Sequence, residues 1–259
     1  MDYAKTMEHY IEFRDVSKSF DDHAVLDGVS FTVDPGETCV IMGRSGVGKS
    51  VTLKHIMGFL KPDSGRVIVA GQDITDWPEK ELAQIRRRVT MVFQSGALFD
   101  SLTIRENIEF PLDERSDLTQ EAIDARVAEL AEMLEITEFL DKLPDELSTG
   151  MKRAVAIARV LAQDPEAILY DEPTTMVDPL AAVHTMNLIL KLKQATHKTS
   201  VVVTHDTHLG KKIADKLVFL RDGKVAFFGT WEEFEASEDP FLRNFRLQDE
   251  LIPELDVTV

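Results

Sequence analysis

Residues 38–50 read TCVIMGRSGVGKS and are followed by VTLKHIMGFL, and this stretch decides the fold. The first five residues are mostly apolar and β-branched, which predicts a short strand covered on both faces. In the segment GRSGVGKS, the glycines allow a tight loop whose backbone N–H groups converge. The apolar spacing of VTLKHIMGFL then predicts a helix. A strand, a glycine-rich loop and a helix in this order predict a phosphate-binding site.

The loop also carries the side chains that a nucleoside triphosphate needs. It matches the P-loop pattern over Gly43, Arg44, Ser45, Gly46, Val47, Gly48, Lys49 and Ser50. In this pattern the lysine reaches the β and γ phosphates, and the serine hydroxyl binds a magnesium ion. The loop therefore predicts a site for a nucleoside triphosphate and Mg²⁺.

Two later apolar runs end in polar side chains suited to the same site. AILYDEP (167–173) ends in Asp171, which can hold Mg²⁺, and Glu172, which can polarise an attacking water. SVVVTHD (200–206) ends with His205, which can contact a γ-phosphate or that water. The alternative is a pair of solvated acids and a structural histidine. Because ligands of open α/β sheets bind beyond the carboxyl ends of the strands, we expect one shared phosphate site.

The order of predicted elements indicates an α/β fold with a mainly parallel sheet. Runs rich in β-branched and aromatic residues predict strands at 11–16, 29–33, 38–43, 66–71, 89–94, 167–172, 200–205 and 216–223. The earliest of them, joined by short turns, suggest an antiparallel β layer. Between about residues 96 and 162 the signal is helical, with Thr119 as a helix N-cap and one apolar face made of Ile123, Val127, Leu130, Ala131 and Leu134.

Composition narrows the function. With 259 residues the chain is long enough for one large domain, and its formal net charge of -17 disfavours nucleic acid as the main ligand. We interpret the basic run Arg86–Arg88 as ordinary surface charge. The single cysteine, Cys39, lies in an apolar run, and we expect it to be buried and unreactive. No apolar run has the length of a membrane span, and the N-terminus lacks a signal-peptide pattern, so we expect a cytosolic protein.

Further motifs give the chain a family resemblance. The P-loop, LSTGM (147–151), ILYDEP (168–173), Asp178-Pro179 and VVVTHD (201–206) occur in this order. Together they resemble the nucleotide-binding subunit of an ABC transporter, from about Ile11 to Glu235. The resemblance implies the P-loop NTPase ABC ATPase fold as a single domain, with a RecA-like core and β layer (1–95 and 163–235), a helical subdomain (96–162) and a C-terminal extension (236–259). It also implies ATP and Mg²⁺ as ligands.

The resemblance further implies a role for individual residues. Phe20 would stack on adenine, and Gln94 would contact Mg²⁺ and the attacking water. Glu172, His205, Gln94 and Lys49 would be the catalytic residues, and Ser50, Gln94 and Asp171 the metal ligands. Ser148 and Gly150 would contact the γ-phosphate bound to a second copy, in a head-to-tail dimer with ATP between the subunits. Asp178 would connect the two sites.

The sequence departs from the family pattern at three positions. Thr149 replaces a glycine in the usual LSGGQ, Met151 replaces the glutamine, and Val51 stands beside the P-loop where Ser or Thr is common. Thr149 would be strained if its position needs a positive φ. Otherwise its hydroxyl can bind phosphate or cap the helix, and we favour this reading because the other catalytic positions are intact. Val51 removes one polar contact from the nucleotide site.

A narrower resemblance concerns the transported molecule. FQSGALFDSLTIRENIEFPL (93–112) resembles ATPases of Mla-type lipid transporters, as do Met151 and DPFLRNF (239–245). This implies a membrane permease as partner, MCE-type lipid-binding proteins as indirect partners, and attachment to the cytoplasmic face of the inner membrane. Leu98, Phe99, Leu102 and Phe110 would line a groove for the permease, unless they are ordinary core. A transporter ATPase for another substrate, or a soluble ABC ATPase acting on ribosomes or DNA, are the alternatives.

Overall fold

The computed structural model describes residues 7–113 and 117–249, and it contains two sheets. The strands are β1 (Ile11–Phe20), β2 (His23–Val33), β3 (Thr38–Met42), β4 (Ser64–Val69), β5 (Gln72–Asp73), β6 (Val89–Val92), β7 (Ala167–Asp171), β8 (Thr199–Val203), β9 (Lys216–Arg221) and β10 (Lys224–Gly229). A four-stranded antiparallel sheet has the order β2-β1-β4-β5. The larger sheet has the order β10-β9-β3-β8-β7-β6 and is parallel except for the β10 edge.

The central strand β3 is buried along its whole length, as its continuous apolar run predicts. Because successive side chains point to opposite faces of a strand, Val40 and Met42 join one hydrophobic core, and Cys39 and Ile41 join the other. The sheet is thus covered on both faces, and the loop that follows β3 starts from a rigid strand. Burial of Cys39 agrees with its expected structural role.

Nine helices complete the described part of the chain, together with two short 3₁₀ turns. They are α1 (Lys49–Ile56), α2 (Glu79–Arg88), α3 (Ile104–Asp113), α4 (Gln120–Met133), α5 (Thr149–Ala162), α6 (Pro179–Thr196), α7 (Thr207–Ile213), α8 (Trp231–Ala236) and α9 (Pro240–Asp249). No helix within the described ranges is long and apolar enough to cross a membrane.

Within the described residues, the only regular structure between β6 and β7 is helical: α3, α4, α5 and the two 3₁₀ turns, joined by loops. In α4 the predicted apolar face is buried, and the Thr119 side chain accepts a hydrogen bond from the N–H of Ala122. The prediction of a mainly parallel sheet with an antiparallel β layer and a helical insertion is confirmed. The proposed domain boundaries stay a prediction.

The fold differs from the sequence analysis in its edge strands and at two aromatic residues. The strand β10 was missed because it is a half-exposed edge strand with a weak apolar pattern. Phe99 and Phe110 are 41% and 43% exposed, so the reading of these two residues as ordinary core is wrong. The proposed C-terminal extension (236–259) contains α9, whose Leu242 is buried, and the acidic end of the tail at 250–259 lies outside the described residues.

Candidate active site

A cavity of about 660 Å³ opens beyond the carboxyl ends of β3 and β7. Its lining includes most residues that the sequence predicted for the nucleotide site, namely Gly43, Arg44, Ser45, Gly46, Gly48, Lys49, Ser50, Val51, Gln94, Glu172 and His205. Asp171 lies beside it and contacts Ser50, and Val47 packs against the neighbouring core. The other predicted contact residues do not line it: Phe20, Ser148, Thr149, Gly150 and Asp178.

The P-loop adopts a backbone that depends on its glycines. Gly43, Gly46 and Gly48 have φ values of 147°, 83° and 103°. A Cβ on Gly48 would come within 2.6 Å of a Leu26 methyl group and 2.9 Å of the Val25 carbonyl oxygen. Gly48 is also the residue before α1, so the loop leads directly into a helix N-terminus. This cradle fits a phosphate, since such a loop and helix end present N–H groups to an anion.

Lys49 is buried at the base of the cavity and already has partners there. Its ammonium group donates hydrogen bonds to the carbonyl oxygens of Gly43, at 2.9 Å, and Arg44, at 3.3 Å. It also lies 3.3 Å from Oε1 of Glu172. These contacts hold the positive charge against the loop, in the place where a triphosphate needs it.

Glu172 follows β7 with a left-handed backbone, φ 48°, and its N–H donates to the Val203 carbonyl oxygen at 2.8 Å. A positive φ is uncommon for a glutamate, and such strain concentrates at functional sites. The Glu172 carboxylate accepts a hydrogen bond from the Thr175 hydroxyl at 2.9 Å. Burial raises the pKa of Glu172, but contacts with His205, Lys49 and Thr175 outweigh it, so the pKa lies below its usual value. The side chain is therefore ionised at neutral pH and can accept a hydrogen bond from water.

His205 lies next to that carboxylate. Its Nδ1 atom is 2.8 Å from Oε2 of Glu172. The hydrogen bond to Glu172 raises the pKa of His205, and burial opposes it. The pair forms because β7 and β8 are parallel neighbours whose carboxyl ends lie at the same edge of the sheet.

Ser50 and Asp171 form the part of the site suited to magnesium. The Ser50 hydroxyl donates a hydrogen bond to Oδ1 of Asp171 at 2.8 Å. Burial raises the pKa of Asp171, and this hydrogen bond lowers it. Within the described residues no group of three or more His, Cys, Asp or Glu side chains could hold a metal by itself. Mg²⁺ typically binds one or two protein oxygens and completes its shell with phosphates and water, and Ser50 and Asp171 can supply those oxygens.

Gln94 lies on the loop after β6, and a buried arginine from α5 fixes the backbone of that loop. Arg153 is 3% exposed and donates to the carbonyl oxygens of Phe93, at 3.0 Å, and of Gln94. Its second terminal nitrogen donates to the carbonyl oxygen of Thr175 at 3.3 Å. Burial lowers the pKa of the Arg153 guanidinium group. Sequence analysis gave Arg153 no role.

The LSTGM motif forms the beginning of α5, as predicted, but its cap is Ser148. The Ser148 side chain accepts a hydrogen bond from the Met151 N–H. Thr149 is the first helical residue and has a negative φ, so the alternative in which Thr149 is strained is wrong. The suggestion that the Thr149 hydroxyl caps the helix is wrong, because Ser148 is the N-cap residue. Gly150 packs against α6, where an added Cβ would lie 3.0 Å from the Cβ of Ala181.

Two other predicted contact residues have a clear local environment. Asp178 is exposed and caps α6, with its carboxylate accepting from the Ala181 N–H at 3.0 Å. Phe20 is 42% exposed at the end of β1, with the Lys18 ammonium 5.7 Å from its ring centre. Both side chains are free to meet a ligand or another chain, and their predicted roles stay predictions.

Three lining residues were missed by the sequence analysis: Val25, Thr175 and Phe245. Thr175 follows Glu172 at turn spacing, a local signal that was available. Phe245 comes from α9, where its ring stacks edge-on against Phe219 at 4.8 Å, and Phe241 lies 5.6 Å from the Arg44 guanidinium group. Only the packing of α9 beside the P-loop brings Phe245 to the cavity, and no local pattern reports that contact.

Comparison with known proteins agrees with this geometry. The family described as ABC transporter matches residues 26–175. The chain is 37% identical over 232 residues to the intermembrane phospholipid transport system ATP-binding protein MlaF of Haemophilus influenzae, covering 90% of this chain and 88% of that protein. It is 34% identical over 235 residues to a probable ribonucleotide transport ATP-binding protein, mkl, of Mycobacterium tuberculosis, covering 91% of this chain and 66% of that protein.

A solved structure shares the fold. It is a dimeric ATP-binding cassette, MJ0796, in a post-hydrolysis state bound to ADP and Pi. It has a TM-score of 0.77 and 34% identity to this chain, over 85% of this chain and 98% of that one. The predicted P-loop NTPase fold of the ABC type is therefore confirmed. With the P-loop, the strand-end carboxylates and these matches together, the chain belongs to the ABC transporter ATP-binding family and is an ATPase.

Proposed function

We propose that two copies of this chain pair head to tail around two ATP molecules and power a membrane permease that moves phospholipid or another hydrophobic molecule. The observation that carries the pairing is an incomplete site. Lys49, Gln94 and Glu172 line the cavity, whereas Ser148 and Gly150 stand outside it, at the beginning of α5. In a second copy, the same helix N-terminus would supply N–H groups and a favourable dipole to the γ-phosphate. The dimeric form of MJ0796 supports this arrangement.

Within each site the residues take the roles that their positions allow. Phe20 stacks on adenine, the loop 43–50 with Val51 holds the phosphates, and Ser148, Thr149 and Gly150 of the partner copy close the site. Ser50, Asp171 and Gln94 would hold a magnesium ion, which would offset charge that develops on the phosphate oxygens. Glu172 orients and polarises the attacking water, His205 holds Glu172 and contacts the γ-phosphate, and Asp178 connects the two sites.

The permease would dock on the helical segment, residues 96–162, next to Gln94. An exposed aromatic pair supports this placement, because the rings of Phe99 and Phe110 lie 4.5 Å apart and both are partly open to solvent. Residues 1–95 and 163–235 would form the nucleotide-binding core with its β layer. The chain would then sit at the cytoplasmic face of the inner membrane, held there by the permease.

The proposed cargo rests on the relatives. The similarity to the phospholipid transport protein MlaF supports a lipid. MCE-type lipid-binding proteins would then be indirect partners, reached through the permease. The similarity to mkl favours an alternative, a transporter ATPase for a different substrate. An ABC ATPase acting on nucleic acid is disfavoured by the net charge of -17.

The pairing and the role of Glu172 are tested with Glu172→Gln. We expect this variant to bind ATP and to elute as a dimer in gel filtration with ATP, while its kcat falls by about 10²–10⁴-fold, the usual contribution of a general base. A variant that hydrolyses ATP at the normal rate would exclude Glu172 as the group that activates water.

The cargo is tested on the complex isolated with its permease. Mass spectrometry of the bound lipids, together with ATP-dependent transfer of a fluorescent phospholipid between vesicles, separates the two candidates. Stimulation of ATP hydrolysis by a soluble substrate instead of phospholipid would support the alternative.

A further inference from the structure

Burying the charged side chain of Arg153 is unfavourable, because its guanidinium group loses contact with water. Its side chain is 3% exposed, and burial lowers the pKa of its guanidinium group. Within the described residues no carboxylate contributes to that pKa. An unpaired buried charge is unfavourable unless hydrogen bonds compensate for its lost hydration. The guanidinium fork offers several donors in a fixed plane, and here they go to backbone carbonyl groups.

The carbonyl groups that Arg153 binds belong to two different catalytic loops. On one side are Phe93 and Gln94, in the loop that carries the candidate magnesium ligand. On the other side is Thr175, at the end of the turn that starts with Glu172. Arg153 itself comes from the first turns of α5, the helix that begins at Ser148. One side chain therefore connects three parts of the site.

Thr175 transmits this connection to the Glu172 carboxylate. Its backbone N–H donates to the Glu172 carbonyl oxygen at 3.2 Å, and its hydroxyl donates to the carboxylate at 2.9 Å. Since Glu172 has a left-handed backbone, its side-chain direction depends on such contacts. A shift of Arg153 would move the Thr175 carbonyl and, through it, the position of the carboxylate.

We infer that Arg153 is a positioning residue that fastens Gln94 and Glu172 to each other and to α5, so that movement of α5 reaches both catalytic side chains together. The inference rests on the proposed roles of those two residues. It gives α5 a second task besides presenting Ser148 to a partner copy. The helix also sets the geometry of the cavity in its own chain.

A second arginine on the same helix provides a matched control. Arg159 donates to the carbonyl oxygens of Gly96 and Ala97, at 3.2 and 2.8 Å. It therefore holds the loop after Gln94 without a contact to the Glu172 turn. Arg159→Met loosens only the loop that contains Gln94, whereas Arg153→Met should loosen both that loop and the Glu172 turn. The comparison therefore separates the two effects.

The experiment measures hydrogen–deuterium exchange, ATP affinity and turnover on the full chain. In Arg153→Met we expect faster exchange in both 93–99 and 172–178, kcat lower by about tenfold or more, and affinity for a fluorescent ATP analogue within about twofold, the pattern of lost positioning. Arg159→Met should speed exchange in 93–99 only. Arg153→Lys keeps the charge but not the fork, and we expect it to recover part of the exchange protection and little of the turnover.

Two results would overturn the inference. One is normal turnover in Arg153→Met. The other is exchange that rises across the whole chain, or only in 93–99 as in Arg159→Met, which would mean a general loss of packing or a tie to one loop. Should Arg153→Met fold poorly, Arg153→Lys carries the same comparison. Glu172→Gln is measured alongside. Normal turnover in this variant would refute the proposed role of Glu172, whereas the exchange pattern of Arg153→Met tests the connection between the two loops independently, because amide exchange does not depend on turnover.

Discussion

Replacing Gly48 with alanine tests whether the P-loop conformation requires a glycine at this position. The residue has φ 103°, a backbone that costs a residue with a side chain about 1–3 kcal/mol. In addition, the new methyl group would lie 2.6 Å from a Leu26 methyl carbon and 2.9 Å from the Val25 carbonyl oxygen. Since the Val25 carbonyl belongs to the backbone of β2 and Leu26 is buried, relief requires backbone movement, and overpacking of this kind costs about 1–3 kcal/mol more.

Gly46 is the matched control for this substitution. Its φ is 83°, but nothing lies within 4 Å of an added Cβ, so Gly46→Ala adds strain without a clash. Urea unfolding without nucleotide, monitored by tryptophan fluorescence, measures the effect. We expect the unfolding free energy of Gly48→Ala to be about 1–3 kcal/mol lower than that of Gly46→Ala. Equal stability of the two variants would refute the steric argument.

Three further predictions concern individual side chains. Lys49→Ala removes the ammonium group at the phosphate cradle, and we expect ATP turnover to fall by about 10²-fold or more in a steady-state assay. Thr149→Gly should leave kcat within about twofold and lower the unfolding free energy by up to about 1 kcal/mol, since Thr149 is an unstrained helical residue. Glu172 raises the His205 pKa, so their attraction is fully present below the ordinary histidine pKa while Glu172 is ionised, and it is lost as pH rises through the raised pKa. NMR titration should show the His205 pKa falling in Glu172→Gln.

The parts of the site that could be predicted are those encoded locally. The P-loop needs glycines at fixed spacing, and Gly43, Gly46 and Gly48 occupy positive-φ positions as that motif requires. Asp171 and His205 could be placed because Asp171 ends the strand β7 and His205 lies just after the strand β8. Parallel neighbouring strands bring their carboxyl ends to one edge. The cap of α5 is also local, although it falls on Ser148 and not on Thr149.

The parts that could not be predicted depend on contacts between distant segments. Arg153 looks like one more charged residue of an amphipathic helix until Gln94 and Thr175 are brought to it by the sheet. Phe245 belongs to a helix about two hundred residues away from the P-loop, and only the packing of its ring on Phe219 brings it there. Hydrophobic patterns report burial, but they do not report which partner covers a side chain.

The strand β3 has a consequence for how local fluctuations are distributed. Val40 and Met42 lie in one hydrophobic core, and Cys39 and Ile41 lie in the other, so local opening of this strand would expose both. We therefore expect its amide hydrogens to exchange with solvent mainly when the whole domain unfolds. ATP held by the loop that follows β3 would stabilise the folded state by mass action. We expect its binding free energy to appear as slower exchange in both cores, far from the phosphates.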